Sequence, residues 1–347
     1  MSGIVAQLFL FVLLLPVVAQ AEWYRGNTHT HTNNSDGNAS PDTVVRWYKD
    51  HGYQFAFITD HEHVTDVTSL NALFGAAERF LVLPGQEITQ WSADKTRLAA
   101  HINSLFTTEV IWPRGDRTCR GGGCGATAAA TVPLADTFKA NIASVLATKG
   151  IAQINHPNYR WAVKPEDLFE IPETGCLLEI WNGQGQINNL GGTDDNGDTR
   201  PSAEGYWDIL LSRGKKVWGV ASDDSHDFDE HPDPDGSAPG QAWIMVRAPA
   251  LTPPHIEAAL RAGDFYASTG VALAEIVATS SELSLTVSER RAGTARYLTR
   301  FIGKDGKVLA EVAGTKPTYR FKGGEMYVRA TITDSNGNHA WTQPIFR

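Results

Sequence analysis

Gly26-Asn-Thr-His-Thr-His-Thr-Asn-Asn-Ser-Asp-Gly-Asn-Ala-Ser-Pro41 is the stretch that decides how the rest of the chain reads. It sets His29 and His31 two residues apart and puts Asp36 five residues further on. Two His at i and i+2 aim at one metal ion only where a strand is ending and turning, because side chains two apart share a strand face. A carboxylate a short loop away can then reach a neighbouring ion. Ser40-Pro41-Asp42 continues the pattern as a helix start: a capping hydroxyl, Pro in the first turn and an acid beside it.

Working outward, five more sites carry His, Asp or Glu: Thr59-Asp60-His61, Gly85-Gln86-Glu87, His101, Asn155-His156-Pro157 and Asp224-Ser225-His226. Most follow apolar runs of strand length, namely Phe55–Ile58, Phe80–Leu83, Ile151–Ile154 and Lys216–Ala221. Polar residues at the C-terminal ends of successive parallel strands converge on one face of a barrel, where barrel enzymes keep their chemistry. Six of the 11 His fall in these motifs. His101 fits awkwardly, because it starts its run instead of ending it. Its strand either runs in the opposite sense or lends the side chain from a loop.

About seven strands are expected, near 23–28, 55–59, 80–86, 101–106, 151–155, 177–181 and 216–222. Helical patterns fall near 41–51, 69–79, 133–149 and 202–213. This alternation predicts an α/β chain built on a parallel sheet or barrel. From about Ala274 the rhythm changes to short alternating strands with turn chemistry at Lys304–Lys307 and Asp334–Asn338, which predicts a small β-sandwich. The expected layout is residues 1–21, 22–272 for the barrel and 273–347 for an all-β sandwich-like domain. Residues 112–132, 185–200 and 229–240 read as long loops; on the metal face they would shape substrate choice.

Residues 1–21 carry no charged side chain and end in Ala19-Gln20-Ala21, an A-x-A-type cleavage site, so they read as a secretory signal peptide. The competing reading is a membrane anchor, for which the apolar run is short against the roughly 20 residues a span needs. A secreted or periplasmic protein with no stable membrane anchor is the expectation. The net charge of −9 argues against nonspecific nucleic-acid binding. It is compatible with a small anionic substrate, since bound metal ions reverse the local sign. Cys119 and Cys124 flank Arg-Gly-Gly-Gly and are expected to form a disulfide, with a Cys metal site as the rival, while Cys176 reads as a small buried residue. Arg114, Arg117 and Arg120 would either steer an anion or line a solvated loop face.

The proposed ligands are His29, His31, Asp36, His61, Glu87, His101, His156, Asp224 and His226. Imidazoles mixed with carboxylates suit Zn, Mn or Fe better than Mg or Ca, which prefer oxygen shells. Nine ligands are too many for one ion, so two or three divalent ions with Glu87 bridging is the expected arrangement.

At these residues the chain resembles the polymerase and histidinol phosphatase (PHP) superfamily of metal-dependent phosphoesterases. The matching elements are His29-Thr-His31 with Ser35-Asp36-Gly37, Ile58–His61, Gly85–Glu87, His101, Asn155–Pro157 and Ser222–His226, spanning roughly residues 23 to 247. Leu178–Gly183, Leu260–Gly270 and Ala340–Ile345 further resemble the secreted carbaryl-hydrolase-like branch. The resemblance implies a distorted seven-stranded (β/α) barrel with a trinuclear centre. One ion would lie on His29, His31, Glu87 and Asp224, a second on Glu87, His101 and His156, and a third on Asp36, His61 and His226. It implies phosphomonoester or diester hydrolysis by a metal-bound hydroxide. Glu87 and Asp60 are the expected catalytic residues with Arg160; Asp60 and Asp223 would orient His61 and His226. Arg160 would pair with a phosphate or carboxylate, or else is a surface residue beside Trp161. Carbamate, ester or amide hydrolysis on the same ions is the alternative, and a non-catalytic surface- or carbohydrate-binding protein a third class.

Overall fold

The computed structural model describes residues 21–75, 79–90, 100–113, 133–229, 236–289, 293 and 295–347. Residues 1–20 of the expected signal peptide at 1–21, and residues 114–132 of the expected insertion, with Arg114, Arg117, Arg120, Cys119 and Cys124, lie outside the described residues. No helix among the described residues is long and apolar enough to cross a membrane.

The seven expected strands all form. They are β1 (Glu22–Asn27), β2 (Phe55–Ile58), β3 (Leu81–Gln90), β4 (Ala100–Leu105), β5 (Ile151–Ile154), β6 (Thr174–Asn182) and, after a small hairpin of β7 (Gly192–Thr193) and β8 (Thr199–Arg200), β9 (Lys216–Ser222). They lie side by side in the order β1-β2-β3-β4-β5-β6-β9. β4 is antiparallel to both neighbours, which answers the question posed by His101. Because the strand runs backwards, its first residues, not its last, reach the end of the sheet where β3 and β5 finish. His101 pairs in register with Thr89 near the end of β3.

The expected closed barrel does not form among the described residues. No ladder joins β9 to β1; a single bridge, Thr30 to Ser225, ties their C-terminal ends. Instead β1 pairs on its outer edge with antiparallel β10 (Trp243–Ala248) and then β11 (Phe265–Ser268). The sheet continues into the C-terminal strands β18 (His339–Thr342), β17 (Tyr327–Asp334), β14 (Tyr297–Gly303) and β15 (Lys307–Ala313), giving 14 strands in all with a short β19 (Ile345–Phe346) pairing off the path. A second layer of β12 (Ala272–Ala278), β13 (Glu282–Ser288) and β16 (Thr318–Arg320) covers this region. Leu273, Leu283, Leu285 and Val287 meet Phe301, Val328 and Ile332 there in one apolar cluster. The C-terminal part is therefore β-rich and two-layered, with one layer an extension of the main sheet.

Local chemistry explains the helices. In α1 (Pro41–Asp50) the Ser40 hydroxyl accepts from the Thr43 N–H, and Val44, Val45 and Tyr48 bury one face. α2 (Leu134–Ala147) and α3 (Ala203–Ser212, capped by Ser202) pack on the sheet through Phe138, Ile142, Tyr206 and Trp207. α4 (Pro253–Ala262) ends at Gly263, whose left-handed φ of 77° favours glycine.

Candidate metal centre

The first strand ends as the sequence requires. Gly26 is held so close to the Phe55 ring that a Cβ there would sit 2.0 Å from it. At Gly37 a Cβ would lie 2.8 Å from the His31 carbonyl carbon, so the Ser-Asp-Gly turn folds tightly back over the strand end and carries Asp36 beside His31. His31 N–H donates to the Ser225 carbonyl and Asp224 N–H to that of His29, which lays the β1 and β9 ends side by side.

Three groups of ligand atoms result: His29, His31, Glu87 and Asp224; Glu87, His101 and His156; and His31, Asp36, His61 and His226. All nine sequence-proposed ligands fall in them, and Glu87 and His31 each belong to two. Only Asp36 is substantially exposed, at 42%, with His226 at 22%. The groups are thus graded in depth, the first being buried throughout.

The first group fits a small cation. His29 Nε2 lies 3.2 Å from His31 Nε2, 3.3 Å from Glu87 Oε2 and 3.2 Å from Asp224 Oδ1, and His31 Nε2 is 3.3 Å from each of those oxygens. A tetrahedral ion about 2.0–2.1 Å from each ligand atom sets those atoms roughly 3.3–3.4 Å apart. Among the described residues, Asp224 Oδ1 is buried with no hydrogen-bond partner, as is His101 Nε2. Donor set, spacing and orphaned atoms agree with a divalent transition-metal ion. In the second group Glu87 Oε1 is 2.9 Å from His101 Nδ1 and 3.5 Å from His156 Nε2. In the third, the Asp36 oxygens lie 3.4–3.5 Å from His31 Nδ1, His61 Nε2 and His226 Nε2.

The electrostatics follow from packing acids and imidazoles out of water. Burial alone would neutralise Glu87 and Asp224, yet the surrounding imidazoles hold both carboxyls well below their ordinary range. Burial opposes protonation of His31 as well, but the adjacent Asp224 and Glu87 carboxylates raise it to about 10. For His101 burial wins and its pKa falls. Such a cluster of buried carboxylates calls for compensating positive charge.

Two expected roles need correction. Asp60 does not orient His61. Its oxygens accept from Thr32 N–H (2.7 Å) and the hydroxyls of Thr32, Ser35 (2.9 Å) and Thr65 (2.8 Å), so it ties the 32–35 turn to the 61–65 loop. The His61 ring is held instead by Thr89 Oγ1, 2.8 Å from Nδ1. Asp223 does not orient His226: it accepts from the N–H groups of Gly240, Gln241 and Ala242 and from the Tyr48 hydroxyl. Burial pushes it up to about 6 despite those donors. The His226 ring bonds the Asp224 carbonyl, 2.9 Å away. Arg160 is exposed, has φ 48°, and lies 5.3 Å over the Tyr159 ring, which in turn packs edge-on against His156. It therefore stands just outside the second group.

The motif reading missed several supporting residues. Asn155 Nδ2 donates to Glu87 Oε1 at 2.9 Å, and Glu179, wholly buried on β6, accepts from His29 Nδ1 at 2.7 Å. Burial opposes ionisation of Glu179, but the His29 charge and hydrogen bond keep its pKa below the ordinary value. The available signal was a charged residue inside the apolar run Leu177-Leu-Glu-Ile180. An open cleft of about 350 Å³ lined by Trp181, Asn182, Gln184, Gln241, Thr269 and Asn338 adjoins this end of β6.

No protein-family model matches the sequence, and no curated protein matches it. Solved structures do. A two-domain protein of Bacteroides vulgatus containing a predicted PHP-like metal-dependent phosphoesterase is 14% identical with a TM-score of 0.48, the match covering 98% of this chain and 100% of that one. A protein of Bifidobacterium adolescentis assigned as a metal-dependent phosphoesterase is 16% identical with a TM-score of 0.37, over 62% of this chain and 92% of its own. An amidohydrolase of Chromobacterium violaceum, with bound sulfate and no metal, is 15% identical with a TM-score of 0.40, over 61% and 89%. At these scores the chemistry of the centre rests on this chain's own residues. The chain is similar to a PHP-like two-domain protein, a metal-dependent phosphoesterase and an amidohydrolase, and itself carries three His–carboxylate groups of the kind that hold metal ions.

Proposed function

We propose that this chain is a metal-dependent hydrolase of the PHP type that cleaves phosphoesters, mono- or diesters, at a centre of up to three divalent ions. The observation that carries the reading is the buried quartet His29, His31, Glu87 and Asp224, whose ligand atoms stand 3.2–3.3 Å apart. Glu87 and His101 with His156 would hold a second ion, and Asp36, His61 and His226 a third. Bound ions would activate water and neutralise the phosphoryl oxygens.

The protein's own groups do the rest. Glu87 presents one oxygen to His29, His31 and His61 and the other to His101 and His156, so its position registers the groups against one another. Thr89 and Asn155 keep His61 and Glu87 from turning away. Asp36, the exposed ligand, marks the side from which substrate arrives. Arg160, exposed beside Tyr159, would meet an anionic group on the substrate. Export after cleavage at Ala21 belongs to the same reading and is tested by N-terminal sequencing of the exported protein.

The deciding experiment is elemental analysis with parallel assays of an aryl phosphate, a phosphodiester and an aryl carbamate. Two or three ions per chain and turnover of a phosphoester support the reading. Fewer than about one ion after metal supplementation overturns it. Turnover of the carbamate alone keeps the ions and moves the chemistry to a carbonyl carbon.

A further inference from the structure

Glu179 is a fully buried acid to which the hydrolase reading gives no part. Among the described residues its carboxylate accepts from five donors. Oε1 accepts from His29 Nδ1 (2.7 Å), Gln153 Nε2 (3.1 Å) and the Ser222 hydroxyl. Oε2 accepts from the backbone N–H of His156 (2.7 Å) and from Asn182 Nδ2 (2.9 Å). The same Asn182 amide also donates to Asp224 Oδ2, at 3.2 Å. These partners sit at the ends of β1, β5, β6 and β9. Five donors converging on two oxygens require a group that only accepts. A glutamine of the same shape would turn its own N–H atoms against one set of them.

We infer that Glu179 is the positioning residue of the two deeper ion sites. It accepts the hydrogen bond from His29 Nδ1–H and so turns Nε2 towards Glu87 and Asp224. It pins the backbone of His156 and, through Asn182, holds Asp224. Among the described residues it makes no bond to Asp36, His61 or His226, so its influence should stop short of the exposed group. This inference rests on the metal-dependent reading above. Residues that orient metal ligands typically govern affinity by about 10–100-fold.

The test uses Zn²⁺ alone, titrated against a competing chelator into the wild type, Glu179→Gln and Asn182→Ala. Loading is followed at the ring nitrogens of His29, His156, His61 and His226 by NMR, with ions per chain counted by elemental analysis. In Glu179→Gln, loading at His29 and His156 should weaken by about 10–100-fold, with His61 and His226 unchanged. The downfield His29 Nδ1–H signal of the zinc-loaded wild type should move or vanish, a change that a general loss of stability would not confine to one ring. Asn182→Ala, which removes one of the five donors to Glu179 together with its link to Asp224, should show a smaller loss at the same sites and keeps the test open if Glu179→Gln does not fold. Unchanged affinity in folded variants, or equal weakening at all four rings, overturns the role of Glu179 while leaving the metal reading intact. A wild type that binds no zinc overturns both.

Discussion

Glu87 and His226 mark the extremes of the centre at the residue scale. Glu87 is 1% exposed and its two oxygens reach five imidazoles, whereas His226 serves only the outermost group. Glu87→Ala should therefore cost more than the ~100-fold that changes behind the ligands already cause, and at least one bound ion per chain. His226→Ala should retain the deeper ions and measurable turnover. Elemental analysis with kcat/KM for an aryl phosphate checks this, and equal residual rates would remove the bridging role from Glu87. Arg160 supplies a second prediction. A charged group meeting a distant part of the substrate contributes to binding in ground and transition state alike, so Arg160→Gln should raise KM several-fold with little change in kcat. An unchanged KM would leave it a surface residue stacked on Tyr159.

At the scale of the element, the β1 end decides where the His pair points. Gly26 gives Phe55 room to lie flat against the strand, and the Gly37 turn brings Asp36 back over His31. Gly26→Ala forces a Cβ into the Phe55 ring, an overpacking expected to cost about 1–3 kcal/mol. Chemical denaturation should register the loss, and Phe55→Leu in the same chain should recover part of it, because the smaller side chain yields space. A variant as stable as wild type would mean that β2 shifts freely. β4 teaches the complementary point. His101 looked misplaced in a parallel reading, since only a strand running the other way brings a leading residue to the ligand end. Nothing in His101-Ile-Asn-Ser-Leu-Phe106 states that direction, because an alternating run reads alike both ways.

At the scale of the whole molecule, the extended sheet joins the centre to the C-terminal strands, and one buried cation locks the contact. Arg329 on β17 is 0% exposed and pairs with Glu204 and Asp208 of α3, each at 2.6 Å. Tyr327 donates to Asp208 as well, and the Trp207 ring lies under the guanidinium. Arg329→Met strands two acids and should destabilise the protein by roughly 3–5 kcal/mol, read as a lower denaturation midpoint. Burial raises the Glu204 pKa, but Arg329 outweighs it, so the folded value lies below the ordinary one. A depressed carboxyl contributes stability that is present above its unfolded pKa, about 4.3, and lost as pH falls through the folded value. The wild type should thus lose stability in that acid window, and Arg329→Met should lose less of it there. Parallel acid profiles would place the coupling elsewhere.

The sequence by itself determined the strand ends, the helix caps and all nine ligand candidates, because each depends on residues a few positions apart: a His pair, a turn glycine, a capping serine. Tertiary structure alone decided what lies behind them. Asp60 and Asp223 turn away from the imidazoles beside them in sequence, since nearer donors in the 32–65 loops and at 240–242 claim their oxygens. His29 instead finds its acceptor 150 residues away in Glu179. The open sheet has the same origin: the β1 edge that would close a barrel is taken by antiparallel β10, which draws the C-terminal strands into line. A buried polar group bonds whichever partner the packed chain brings within about 3 Å, and that choice is made in space.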